Sequence, residues 1–230
     1  MLRTTSFPLV LLGLACPAWA NVTFYYNDRP GFDAAVAGMT LVCTETFEEL
    51  GIPPGSLVCY PFPPGLQGPP GAGNINCPMA VYSSYFDPSC DIVGLGAGFI
   101  GNPTTVVGAN YFAASTEYDF GAAPGPEVPE GPNYGGYWAV GFEFFDPIAP
   151  GVYPINVFDM NNNLIGTTNV HYPGQFAAFM GIVVDQTQGP IGRVELASTG
   201  GDLTDNWELY IPEPSALALL ALGGLLLRRR

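Results

Sequence analysis

Glycine and proline interrupt this chain so often that no long helical pattern survives between them. Thirty glycines and 24 prolines are spread through 230 residues that also hold 12 tyrosines and 15 phenylalanines. A chain of this kind folds as many short strands joined by turns. Strand character is read at Thr23 to Tyr26, Thr40 to Phe47, Trp138 to Phe145, Tyr153 to Phe158, Leu164 to Val170, Phe176 to Val184, Ile191 to Ala197 and Asn206 to Ile211. Between two of these, Asp159-Met160-Asn161-Asn162-Asn163 reads as a hairpin loop, because asparagine tolerates positive φ. One short helix is expected after Asp28, with Asp28 or Asn27 as cap, Pro30 in its first turn, and Phe32 and Val36 facing the core.

About 190 residues remain once the two terminal segments are set aside, which suits one domain. The expected fold is all-β: an antiparallel two-sheet β-sandwich, jelly-roll-like, with the short N-terminal helix and a C-terminal apolar helix. The expected organisation is a signal peptide over 1–20, the sandwich over 21–211 and a tail over 212–230. From Pro53 to Pro78 the chain is dense in proline and glycine and reads as a surface loop that needs tying down.

Charge narrows the partners. No lysine occurs, and four of the six arginines sit near the termini (Arg3, Arg228, Arg229 and Arg230). Between Asn21 and Ile211, 19 carboxylates face Arg29 and Arg193, a net charge of about −17. That surface repels phosphate backbones and anionic headgroups, so nucleic acid is excluded as a partner. Divalent cations and neutral sugars remain compatible with it.

The two ends carry addresses. Arg3, the apolar stretch from Phe7 to Ala15, and Ala18-Trp19-Ala20 form a secretory signal with cleavage before Asn21. The apolar stretch is well short of the roughly 20 residues that span a bilayer. A lipoprotein cut at Cys16 is the alternative, and Gly13-Leu14-Ala15 lacks the usual leucine three places before the cysteine. At the other end, Pro212-Glu213-Pro214 precedes an uncharged apolar run from Ser215 to Leu227 and then Arg228-Arg229-Arg230. The prolines decouple the tail from the domain, and the arginines favour the cytoplasmic side. At ~1.5 Å per residue the run reaches about 20 Å, short of a ~30 Å hydrocarbon core, which favours transient insertion over a lasting anchor.

This tripartite ending resembles the PEP-CTERM sorting signal of exopolysaccharide-associated bacterial proteins. The resemblance covers about the last 19 residues. It implies processing by an exosortase near Pro212, Glu213 and Pro214, after signal peptidase has acted at the other end. A softer resemblance runs through Gly151-Val152-Tyr153, Asn163-Leu164-Ile165-Gly166, Phe179 to Asp185, Ile191 to Leu196, Asp205-Asn206-Trp207 and the early Phe32 to Glu48 stretch. It is to the sandwich bodies of the same family and implies no catalytic residues.

Export makes the cysteines legible. Removal of Cys16 with the signal leaves Cys43, Cys59, Cys77 and Cys90, an even number that implies two disulfides with three possible connectivities. Nearest-neighbour pairing, Cys43 with Cys59 and Cys77 with Cys90, closes loops of about 15 residues, each contributing roughly 3 kcal/mol. This is the expected pairing.

Candidate chemistry is sparse. His171 is the single histidine, sits beside Tyr172-Pro173-Gly174 in what reads as a loop, and has no partner for a zinc site or a G-x-S-x-G elbow. Glu117 and Asp119 share a strand face, and Glu143 lies on another strand. They match no glycosidase motif, and outward carboxylates are read as solvated. Calcium is the one cofactor considered. Asp159-x-Asn161-x-Asn163 imitates an EF-hand start without its glycine or final glutamate, and Asp202 and Asp205, beside Glu208, form a second candidate. The bland reading of Asp205-Asn206 is a capped turn. The chain is therefore expected to be a non-catalytic exported surface or matrix protein, associated with exopolysaccharide. The alternative is a carbohydrate-binding module, calcium-dependent or not, with Tyr134, Tyr137 and Trp138 stacking on sugar rings. Exposed coplanar aromatics would favour binding and buried ones a scaffold.

Overall fold

A computed structural model describes residues 22–213, apart from 72, 112, 125–131, 146–150, 173–176 and 198–201. The expected signal segment over 1–20, Asn21 and the tail from 214 onward lie outside the described residues.

Two antiparallel sheets face each other, as the alternation requires. Their strands are β1 (Val22–Tyr26), β2 (Met39–Glu45), β3 (Leu57–Tyr60), β4 (Leu66–Gln67), β5 (Ala80–Ser83), β6 (Ile92–Leu95), β7 (Val106–Ala109), β8 (Thr116–Asp119), β9 (Ala139–Phe145), β10 (Gly151–Asp159), β11 (Leu164–Tyr172), β12 (Ala178–Val184), β13 (Ile191–Leu196) and β14 (Leu203–Pro212). The eight-stranded sheet runs β1-β12-β9-β14-β7-β6-β3, with β2 also paired to β14. The six-stranded sheet runs β11-β10-β13-β8-β5-β4.

The inner faces meet over one aromatic column. Trp207 stacks on Phe142 at 4.1 Å within its own sheet and on Tyr118 of the opposite sheet at 4.2 Å. Its indole N–H donates to the Thr204 hydroxyl at 2.9 Å. A fully buried tryptophan needs such a partner. Val81, Val157, Val194, Met180 and Ile182 close the core around it, each essentially inaccessible.

The helix α1 (Arg29–Val36) forms where the residues predict it: Asp28 accepts the Gly31 N–H at 3.0 Å, and a proline occupies its first turn. It packs through Phe32 and Val36 on the outer face of the eight-stranded sheet. Gly141 and Gly181, directly opposed on β9 and β12, make room for it. A Cβ at Gly181 would lie 2.3 Å from the Phe32 ring, so the helix seats only on a sheet without side chains at that spot.

Three expectations change. The Pro53 to Pro78 region is not a surface loop: Leu66, Ile75 and Cys77 are buried in the main core, as is Met79 just beyond it. The short strands β3 and β4 run through this region, and β5 to β8 follow, each too brief for alternation to reveal. His171 lies on β11 opposite Val152 rather than in a loop, and its carbonyl accepts the Tyr26 hydroxyl at 2.7 Å.

The disulfides join Cys43 to Cys77 and Cys59 to Cys90, not nearest neighbours. Register decides this. The β3–β6 pairing sets Cys59 against Val93 and Tyr60 against Ile92, which brings Cys90 alongside with a Cα–Cα distance of 4.9 Å. The Cys77 N–H donates to Glu45 on β2, two residues from Cys43, and the Cα–Cα distance there is 5.7 Å. A disulfide requires a Cα separation below about 7 Å, so loop length is secondary to which strands pair. The bridges close spans of 34 and 31 residues, contributing about 3.5–4 kcal/mol each in the chain-entropy model. Peptide mapping without reductant is expected to recover Cys43 with Cys77 and Cys59 with Cys90; recovery of Cys43 with Cys59 would contradict this register.

Candidate functional site

Three buried polar centres and one set of aromatics could carry chemistry. The first lies on the outer face of the six-stranded sheet. Pairing aligns Asn156, Glu195, Glu117 and Tyr82 in one row, and Phe158, Arg193, Asp119 and Ala80 in the next. Glu117 and Asp119 do share a face, as their spacing requires, but they are buried rather than solvated: Glu117 is 4% exposed and Asp119 not at all. Arg193, 6% exposed, donates to Glu117 and lies 3.7 Å above the Phe158 ring. It also reaches Asn162 at 3.0 Å, so the hairpin loop supplies its second acceptor. Glu195 accepts from Ser115 at 3.0 Å and from Asn156 at 2.9 Å.

Burial pushes the Glu117 carboxyl up, with the Arg193 guanidinium opposing. Burial also raises Asp119 to about 6, although the Gly121 and Ala122 N–H groups pull it down. Asp119 Oδ2 and the Tyr82 hydroxyl are buried without a hydrogen-bond partner. The arrangement is a charge core that ties β8, β13, β10 and the β10–β11 loop together.

The second centre surrounds the Cys43–Cys77 bridge. Glu45, fully buried, accepts from the Phe47 N–H at 2.9 Å, the Asn76 N–H at 2.8 Å and the Cys77 N–H at 2.9 Å. Beside it a hollow of about 380 Å³ is lined by Glu49, Leu50, Tyr60 and the 73–76 segment. Much of Glu49 reaches solvent, yet its carboxyl end is pushed up to about 7, by burial first and by Glu45 second.

The third centre holds one calcium candidate. Asp205 accepts from the Thr104 hydroxyl and, at 2.7 Å, from the Asn206 N–H. Burial raises it to about 6, and Glu143 and Glu48 add to the rise. The Asp205-Asn206 pair is not a turn before the last strand but a bulge within β14, with Asn206 at φ 52°. Asp202 is buried at 3% exposure. Glu208 instead pairs with Arg29 at 2.8 Å. Asp159 spends its carboxylate on its own loop, accepting the Asn161 and Asn163 N–H groups at 2.8 Å each. Among the described residues no group of three His, Cys, Asp or Glu side chains is arranged to hold a metal ion.

The predicted aromatics do not form one platform. Tyr137 is 3% exposed, stands edge-on to Phe120 at 5.3 Å and donates to the Pro78 carbonyl at 3.0 Å. Tyr134 is half-buried against Ala80 and Tyr82 and donates to the Gly68 carbonyl at 3.2 Å. Trp138 is half-buried, its backbone clamped between Tyr210 and Val184. Of the three residues expected to form a sorting motif, Pro212 ends β14 opposite Met39 and Glu213 follows it; Pro214 lies outside the described residues. Among the described residues no helix is long and apolar enough to cross a membrane.

No known protein family and no curated protein matches the chain. Among solved structures, the enzymatically active domain of bacteriophage CBA120 tailspike protein 4 is similar at 15% identity and a TM-score of 0.28. The match covers 58% of this chain and 19% of that one. So loose a likeness says nothing about activity.

The charge core generates two tests. Replacing Arg193 with methionine strands the buried Glu117, and urea denaturation should show a loss of about 3–5 kcal/mol; adding Glu117→Gln should recover most of it, and a loss below about 1 kcal/mol would refute the pairing. Asp119 has a folded-state pKa above its ordinary 3.8, so the folded state binds the proton more tightly. Its contribution is best below about pH 4 and is lost as pH rises through about 6, roughly 3 kcal/mol in all. Asp119→Asn should therefore raise the melting temperature at pH 8 and leave it unchanged at pH 4; an equal shift at both would show that charge is not the cause.

Proposed function

We propose that this chain is an exported, non-catalytic surface or matrix protein, sorted by exosortase through its PEP-CTERM-like tail and associated with exopolysaccharide. The observation that carries the reading is the pair of disulfides, which suits an oxidising, extracytoplasmic compartment. Export by the signal over 1–20 and release at the cell surface or into the matrix follow from the sequence of the two ends. The buried charges suit a scaffold: Glu45 and Asp119 accept backbone N–H groups, and Arg193 is spent on Glu117 and Asn162. In this reading the Ser215 to Leu227 segment inserts transiently as a helix, and Pro212 marks where the last strand stops and the processing element begins. No cofactor is required for the role.

The test is fractionation and intact mass of the protein expressed in a host with and without exosortase. With the enzyme, the product should begin at Asn21 and lack Arg230. Pro212→Ala with Pro214→Ala should leave export intact and keep the uncleaved chain at the inner membrane. A mass that retains Arg230 when exosortase is present would replace sorting by a plain C-terminal anchor.

A further inference from the structure

We propose that the stacked pair Tyr85 and Tyr111 is a binding subsite for a pyranose ring of a neutral polysaccharide. The inference rests on the exopolysaccharide reading above and gives it a place on the surface.

The two rings lie 4.8 Å apart and within 10° of parallel, yet Tyr85 is 59% exposed and Tyr111 52%. They come from two loops, 84–91 between β5 and β6 and 110–115 between β7 and β8. Each loop crosses from one sheet to the other: β5 pairs with β8, setting Ser83 against Thr116, and β6 pairs with β7, setting Ile92 against Ala109. Both loops therefore emerge at the same end of the sandwich.

Buried anchors lock them there. Asp91, 1% exposed, accepts the Ser83 N–H at 2.8 Å and the Asp87 N–H at 2.9 Å, while its carbonyl accepts the Asn110 N–H at 3.0 Å. The loops also hold each other: the Ser84 N–H donates to the Ser115 carbonyl at 3.1 Å, and the Ser115 N–H to the Ser84 hydroxyl at 3.0 Å. The Tyr85 N–H donates to the Ser83 hydroxyl at 3.0 Å, and the Cys59–Cys90 bridge fixes the end of the first loop.

The backbone next to Tyr85 is strained in a way that keeps that ring outside. Phe86 sits at φ 53°, a left-handed conformation strained for a residue of its size. The twist turns Phe86 inward onto Phe62 at 5.0 Å and Tyr82 at 6.1 Å, and leaves Tyr85 in water. Each tyrosine spends one face on the other and presents its outer face, rigidly held, with a hydroxyl at its tip. Preorganised aromatic faces of this kind bind without the ordering cost that a free side chain carries.

Charge and size select the occupant. The chain carries a net charge of −14, so uronate or phosphate polymers are repelled. Two rings fall far short of the roughly 800 Å² per partner of a stable protein interface. A sugar ring has the matching dimensions: its C–H face covers one aromatic ring, and its hydroxyls meet the polar rim of Ser84, Asp87 and Asn110. Asp87 suits that role because Ser89 lowers its pKa and keeps it an acceptor.

The test uses the mature, disulfide-bonded protein and exopolysaccharide from the strain that encodes it, separated by anion exchange into neutral and acidic fractions. Affinity electrophoresis should show retardation by the neutral fraction. Tyr85→Ala and Tyr111→Ala should each weaken it about tenfold, a change of about 1.4 kcal/mol. Tyr85→Phe should keep it within about threefold, since stacking survives. Leu164→Ser, at a 56% exposed apolar site elsewhere, should leave it unchanged. Retardation that persists in both alanine variants would overturn this subsite and leave the exopolysaccharide association standing. No retardation by either fraction would overturn both. Retardation by the acidic fraction alone would overturn the choice of a neutral ligand, and a dimer in sedimentation that Tyr85→Ala abolishes would reassign the pair to self-association.

Discussion

Backbone N–H groups that find no strand partner are taken up in this protein by carboxylates. Glu45 receives three of them, from Phe47, Asn76 and Cys77. Asp91 receives those of Ser83 and Asp87, and Asp119 those of Gly121 and Ala122. Glu48 takes the Thr105 N–H at 2.7 Å. A chain so full of proline and glycine makes short ladders and leaves many donors unpaired. Ionised acceptors form the stronger hydrogen bonds, about twice those of neutral groups, and a buried orphan donor costs about 1–3 kcal/mol. The irregular half of the sandwich depends on this substitution.

The same fact explains what composition concealed. Nineteen carboxylates against two arginines read as a solvated, repulsive surface, and part of that charge instead faces inward. Arg29 and Arg193 are both committed: Arg29 bridges Asp33 and Glu208 from the helix, and Arg193 compensates Glu117 inside. Where a carboxylate has backbone donors or an arginine, burial is tolerable. Burial still shows in the raised pKa values of Glu117, Asp119, Asp205 and Glu49, which those partners oppose without cancelling.

The later strands were legible because their alternation runs for six residues or more. Trp138 to Phe145 and Ile191 to Ala197 match β9 and β13 within a residue or two, and the Asp28 cap with Pro30 announced α1. The stretch from Leu57 to Asp119 was not, because strands of two to four residues show no period. Leu66 and Met79 sit there among prolines with nothing local to mark them as core. The same blindness affected the aromatics. Tyr134, Tyr137 and Trp138 attracted attention through their glycine-rich setting, whereas Tyr85 and Tyr111 lie 26 positions apart and meet through pairings that sequence spacing does not disclose. Cysteine pairing failed likewise, since it follows from the register of β3 on β6.

The interlaced bridges give the chain an unusual connectivity. Cys43–Cys77 and Cys59–Cys90 overlap between residues 59 and 77. A single backbone break anywhere from 44 to 89 leaves the two pieces covalently joined, and within the overlap they are joined twice. Nearest-neighbour pairing would have let a break in that overlap release one half from the other. A chain nicked by a protease in its most irregular region thus remains one molecule.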